Sequence, residues 1–201
     1  MNNQQKLWDK EYQQHKIKWH KDTQTLPKIL KNKVILELGI GNGKTLRSIL
    51  KQNPKEVTAI DFSKEAIVQA KKEFSRTKFI KSDIIKMPFP KEYFDIVVCY
   101  YILNNLSKKE IKEAVKEIKR VLKTNGKILF EDFAVGDFRE TIKIPSHTIQ
   151  KKNGIICHFF TIIELKTLFK NFSKINLKEK ISKPIAYKNL KRKIISGAIT
   201  K

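Results

Sequence analysis

Short apolar runs alternate along this chain with stretches in which apolar residues recur every three or four positions. The runs VIL, IVVC and KILF are rich in Val and Ile and bounded by polar residues, as expected of strands buried on both faces of a parallel sheet. The stretches between them have the spacing of amphipathic helices. The pattern predicts strand over 33–38 and helix over 44–51, strand over 56–60 and helix over 64–74, strand over 94–100 and helix over 108–122, then strand over 127–131. A further strand leads into Asp83 in FIKSD. Local signals agree with this alternation: Ser63 and Ser107 stand where helix N-caps belong, and Asn125-Gly126 stands where a helix should end.

Beyond Glu131 the pattern changes to a polar stretch with Gly and Pro over 133–153, then a helix over 161–172 and strands near 175–181 and 185–195. The architecture expected is a Rossmann-like, doubly wound seven-stranded α/β sheet, mostly parallel, closed by a C-terminal antiparallel hairpin. A chain of 201 residues holds one such domain. Its parts would be an N-terminal helical cap over 1–32, a core over 33–132, an insert over 133–160 and a closing helix and hairpin over 161–201.

Composition narrows the function classes. With 40% hydrophobic and 9% aromatic residues the chain is that of a packed globular protein. Its longest apolar stretch, 96–103, is far below the roughly 20 residues that span a bilayer, and the opening MNNQQKLWDK has no apolar signal core. A cytoplasmic protein without membrane association is therefore expected. Cys99 and Cys157 have no paired zinc-type spacing, and the four histidines are scattered, so free thiols and no metal centre are expected. Lys and Arg number 43 against 20 acidic residues, a net charge of +23. Such a field attracts polyanions such as RNA, unless the lysines reflect a compositional bias alone. From Lys174 onward there are nine Lys or Arg and one Glu, the best candidate for a phosphate-contacting surface.

The chemistry concentrates after the first strand. In VILELGIGNGKT, Glu37 is followed by Gly39, Gly41 and Gly43 on alternate positions, and then by a helix. These glycines let the backbone turn tightly and approach a ligand. A dinucleotide turn reads G-x-G-x-x-G with a pyrophosphate on the helix N-terminus. The E-x-G-x-G-x-G form here suits S-adenosylmethionine (SAM), which has no pyrophosphate. Asp61 ends the second strand, where a carboxylate meets ribose hydroxyls or caps the helix after Phe62 and Ser63. Asp83 ends the third, where it accepts from an adenine amino group while Ile84 packs on the ring, or serves as a turn residue. Tyr100 leaves the fourth strand and lies beneath the cofactor or in the core with Tyr101. The three acids and the Gly loop converge on the crevice at the switch point of the sheet.

In order and spacing these residues resemble the class I SAM-dependent methyltransferases over 33–133. Within that class the chain resembles the transfer-RNA 3-methylcytidine methyltransferase family. Trp8, Asp9, Tyr12 and His15 match its W-D-x-x-Y-x-x-H opening, and Trp19-His20-Lys21-Asp22 resembles the sequel. The resemblance implies that Trp8 and Tyr12 fold over the cofactor; read without it, they belong to an amphipathic helix packed on the sheet. KILFEDF resembles the family's F-x-D-[YF] strand at Asp132, and Phe159-Phe160-Thr161 match its aromatic pair and capped helix. The family's Arg-His-Trp after Lys-Asp is absent, and Ala134-Val135 replace its Gly-Arg.

Methyl transfer from SAM is an in-line displacement that needs alignment and exclusion of water. Methylation of a neutral ring nitrogen leaves a cation, which a carboxylate stabilises; Asp132 is the candidate. Asp137 and Arg139 are candidates for charge stabilisation and phosphate contact, and Phe159 and Phe160 for stacking on a splayed base. Three functions are compatible with these residues: an RNA base methyltransferase, a small-molecule methyltransferase lidded by the insert, and a SAM-binding subunit without catalysis. The expected protein is a monomer, with an activating protein partner left open.

Overall fold

A computed structural model describes residues 3–14, 24–41, 43–142, 145–182 and 190–201. His15 and Trp19-His20-Lys21-Asp22 lie outside the described residues. The elements in chain order are α1 (Asn3–Gln14), β1 (Val34–Leu38), α2 (Lys44–Leu50), β2 (Glu56–Asp61), α3 (Lys64–Glu73), β3 (Lys78–Lys81) and β4 (Phe94–Tyr100). A single 3-10 turn (Leu103–Asn105) leads to α4 (Lys108–Val121) and β5 (Leu122–Phe133). Then come β6 (Thr148–Gln150), β7 (Ile156–His158), α5 (Ile162–Leu168), β8 (Lys174–Ser182) and β9 (Arg192–Thr200).

Seven strands form one sheet in the order β3-β2-β1-β4-β5-β9-β8. The first five are parallel, and β9 runs antiparallel to both β5 and β8. The apolar strand runs are sorted by alternation onto two faces. Leu36, Leu38, Val97, Cys99 and Phe130 pack with Ile111, Ala114 and Ile118 of α4 and Leu165 of α5. Ile35, Val57, Ala59, Ile96 and Val98 pack with Leu46 and Ile49 of α2 and Ile67 and Ala70 of α3. Two apolar faces of one sheet, each covered by helices, make the fold doubly wound. The strand order reverses between β1 and β4, which opens a crevice at their C-terminal ends.

The helix caps obey the local sequence. Ser63 accepts from the Ala66 amide, and Ser107 and Glu110 form a complete capping box on α4. Four expectations are corrected. Asn125-Gly126 does not end α4, which stops at Val121 and runs directly into β5. The pairing register jumps from Phe94↔Leu122 to Ile96↔Lys127, so 123–126 bulge out with Asn125 at φ 61°. Of the second hairpin strand expected near 185–195, positions 185–189 lie outside the described residues; the described strand is Arg192–Thr200 and runs on past 195, with Ile194, Ile195 and Ile199 buried on the side of β5. The insert, expected only as a polar stretch with Gly and Pro, contains the hairpin β6–β7. The helix expected over 161–172 is α5 alone, and Phe169 and Phe172 beyond it are core residues.

Among the described residues no helix is long and apolar enough to cross a membrane, and no cluster of His, Cys, Asp and Glu could hold a metal. Cys99 and Cys157 are free and buried.

Candidate active site

A cavity of about 450 Å³ opens over the C-terminal ends of β1, β2 and β4. Gly39, Ile40 and Gly41 form one wall, with Lys44 and Thr45 at the start of α2; Asp61, Phe62, Asp83 and Ile84 form the next. Gly39 and Gly41 have φ of 71° and 54°, in the left-handed region that favours glycine. A Cβ on Gly39 would stand 2.6 Å from the Ile102 Cδ1, also in the wall, whereas one on Gly41 would meet nothing within 4 Å. Gly41 therefore leaves its backbone open to close approach. Gly43 is set back as the N-cap of α2, at φ 70°.

The acids behave differently from one another. Asp61 accepts from the amides of Ile40 and Ser63, at 2.9 Å each. Burial nonetheless pushes its carboxyl up to about 6, against those amides and that of Gly41. Glu37 is buried beneath the loop, and neither carboxylate oxygen has a partner in hydrogen-bonding geometry; the Leu46 amide offers only a weak contact. Burial, then the charge of Asp61, pushes its carboxyl well above the usual range. Asp83 accepts from the Ile85 amide at 3.2 Å and from Gln5 on α1 at 3.4 Å.

The roof is α1. Trp8 and Tyr12, whose ring centroids are 5.6 Å apart, face the cavity, and burial raises the Tyr12 phenol far above its ordinary value. Asp9 accepts from the Ser63 hydroxyl at 2.5 Å. Gln4 donates to the Gly154 carbonyl at 3.1 Å and accepts from the Ile156 amide at 3.3 Å, while Asn153 donates to Glu11 at 2.9 Å. The helix thus bridges the start of α3 and the β6–β7 insert.

Beyond β4 the cavity continues past Tyr100, Tyr101, Ile102, Asn105 and Arg192. Tyr101 has φ 55°, an uncommon conformation for a bulky residue, held by its amide on the Glu131 carbonyl at 2.7 Å. Its hydroxyl donates to the Glu131 carboxylate at 2.5 Å, and Gln24 donates to the same oxygen at 2.7 Å. The Arg192 guanidinium lies 4.9 Å above the Tyr101 ring.

Of the residues read from sequence, Trp8, Tyr12, Gly39, Gly41, Asp61, Phe62, Asp83, Ile84 and Tyr100 line this cavity. Those assigned to the acceptor do not. Asp132 is sealed, accepting from Asn104 and Phe133 amides at 3.1 and 2.9 Å, and it anchors the 3-10 turn behind the cavity wall. Phe159 and Phe160 have no exposed surface: Phe159 packs near Phe133, and Phe160 on Phe130 and His158, so neither is open to a stacking base. Asp137 is buried, accepting from the Lys193 amide and pairing with Arg139, whose guanidinium covers Phe133 and Phe138. These two staple the insert to β9. Sequence reasoning missed Gln24, Asn105, Glu131 and Arg192. Alternation could have shown that Glu131 and Asp132 face opposite ways, but not which one reaches the tyrosine.

The residues fit SAM: an open glycine cradle, a buried carboxylate without partners beneath it, and acids at successive strand ends. A methyltransferase-domain family model matches residues 36–130. The chain is 36% identical over 95 residues to an uncharacterised methyltransferase-like protein of Schizosaccharomyces pombe, covering 47% of this chain and 36% of that one. It is 30% identical over 151 residues to a tRNA N(3)-cytidine methyltransferase of Homo sapiens, covering 67% of this chain and 40% of that one. The chain therefore spans less than half the length of either relative. A SAM-dependent methyltransferase of Methanosarcina mazei superposes with a TM-score of 0.70 at 22% identity, over 85% of this chain and 93% of that one. The Burkholderia thailandensis 1,6-didemethyltoxoflavin-N1-methyltransferase gives a TM-score of 0.72 at 18% identity, over 98% and 88%. Residues 36–130 thus match a methyltransferase-domain model, and the chain has the fold of solved SAM-dependent methyltransferases.

Proposed function

We propose that this protein is an enzyme that uses SAM to methylate an RNA base, at the ring nitrogen 3 of cytidine in transfer RNA. The observation that carries the reading is one continuous cavity, running from the glycine cradle and acid ladder to a polar, aromatic end at Tyr101 and Asn105. Similarity to the human tRNA N(3)-cytidine methyltransferase supports the acceptor, as does a net charge of +23.

Bound in this cavity, SAM supplies an electrophilic methyl group on its sulfonium. Asp61 and Asp83 orient the nucleoside part, and Trp8 and Tyr12 exclude water from above. The ring nitrogen of cytidine carries its lone pair at neutral pH, so no general base is required. Once methylated the ring is cationic. Asp132, whose burial pushes it up to about 8, holds a proton at neutral pH and offers no charge. The carboxylate of Glu131, reached through the Tyr101 hydroxyl, takes that role in its place.

Incubation with methyl-labelled SAM and unmodified bulk transfer RNA, then nucleoside analysis, tests this directly. Labelled 3-methylcytidine, lost with Asp61→Ala, is the expected result. Absence of label while SAM still binds would refute the reading and favour a small-molecule acceptor or a non-catalytic SAM-binding subunit.

A further inference from the structure

Arg192, at the start of β9, lines the far end of the cavity, away from the glycine cradle. Among the described residues its side chain has no hydrogen bond or ion pair, and its Nε is buried without a partner. Arg120 is engaged by Glu117 and two carbonyls and Arg139 by Asp137, whereas Arg47, whose Nε is also buried without a partner, lies over Phe74 and does not line the cavity. Arg192 is nonetheless held in place. Its guanidinium sits 4.9 Å over Tyr101 and 5.9 Å from the Phe133 ring centre. The nearby Glu131 carboxylate directs its Oε1 to the Tyr101 hydroxyl and Gln24, and no ion pair joins it to Arg192 among the described residues. A planar fork of N–H donors, oriented by an aromatic face and left without a hydrogen-bonded ion-pair partner, is arranged to receive an oxyanion.

We infer that Arg192 receives a phosphate group of the methyl acceptor and so makes this end of the cavity selective for a phosphorylated nucleoside. The inference rests on the RNA reading only for the source of that phosphate, the backbone of an RNA strand. Arg192 acts on acceptor binding and leaves cofactor binding alone.

The test compares wild type, Arg192→Gln and Arg192→Lys in three measurements. Anisotropy of a fluorescent anticodon stem-loop RNA is tracked between about 50 and 200 mM KCl with S-adenosylhomocysteine present. Calorimetry gives SAM affinity, which also reports folding. Calorimetry with cytidine 5′-monophosphate and with cytidine isolates the phosphate. Arg192→Gln should weaken RNA binding roughly tenfold and lower the salt slope by about one, with SAM affinity unchanged. Arg192→Lys should recover part of the loss, since it keeps the charge without the fork. If wild type and Arg192→Gln bind RNA alike, the inference is overturned and the RNA reading stands. If wild type ignores RNA but prefers the monophosphate over cytidine through Arg192, the inference stands and the RNA reading falls. Binding of neither overturns both, and loss of SAM affinity in Arg192→Gln would place the arginine in the cofactor site and overturn the inference.

Discussion

Replacing Asp132 by Asn separates its structural role from any catalytic one through the pH dependence of stability. Its carboxyl is pushed up to about 8 by burial, against the amides of Phe133, Asn104 and Leu103. In the unfolded chain an Asp titrates near about 3.9. Between those values the native state binds a proton that the unfolded state has lost, so stability falls as pH rises through the window. The slope is at most about 1.4 kcal/mol per pH unit and flattens above pH 8. Asn keeps one acceptor for the two amides at 2.9 and 3.1 Å and turns a donor toward the other, a loss of about 1–3 kcal/mol. The wild type should therefore start close to the variant in stability at pH 5 and fall relative to it by about 4 kcal/mol by pH 8, more than the about 1–3 kcal/mol that Asn costs, so that it ends the less stable of the two. Urea unfolding of both proteins at pH 5, 6, 7 and 8 measures this, and the contribution of Asp61, common to both, cancels in the difference. Parallel stability curves for the two proteins would refute the argument.

Two further outcomes are expected. A Cβ on Gly197 of β9 would stand 1.9 Å from the Asn176 carbonyl oxygen of β8, so Gly197→Ala must separate the strands and should cost more than about 3 kcal/mol in chemical denaturation. Trp8→Ala opens the roof from a partly exposed position and should weaken SAM binding roughly tenfold by calorimetry with a small change in melting temperature; an unchanged affinity would remove Trp8 from the cofactor site.

The parts of this protein that were legible in its sequence are those fixed by local chemistry. Strands β1 and β4 are runs too apolar to face water, and Ser63 and Ser107 cap the helices that begin at the very next residue. Gly39, Gly41, Asp61 and Asp83 converge because parallel strands place their C-terminal ends side by side. The acceptor end depends instead on pairing between distant segments. Arg192 reaches the cavity because β9 inserts between β5 and β8, in a register set by Ile194, Ile195 and Ile199. Phe159 and Phe160 illustrate the same limit, since an aromatic pair has one sequence pattern whether it holds a ligand or fills a core. The motif that pointed to Asp132 was one residue from Glu131, and in a strand one residue exchanges the two faces.

The helix that roofs the cavity is tied by polar contacts to Ser63 and Asp83 on one side and to the 153–156 turn on the other, with the buried Tyr12 beneath it and Leu7 beside Gly154. The sheet beneath has its own continuous core on both faces and does not depend on those contacts. Lifting α1 is thus a local opening that costs far less than unfolding the domain. Tightening those anchors would slow product departure and lower turnover without altering the chemical step.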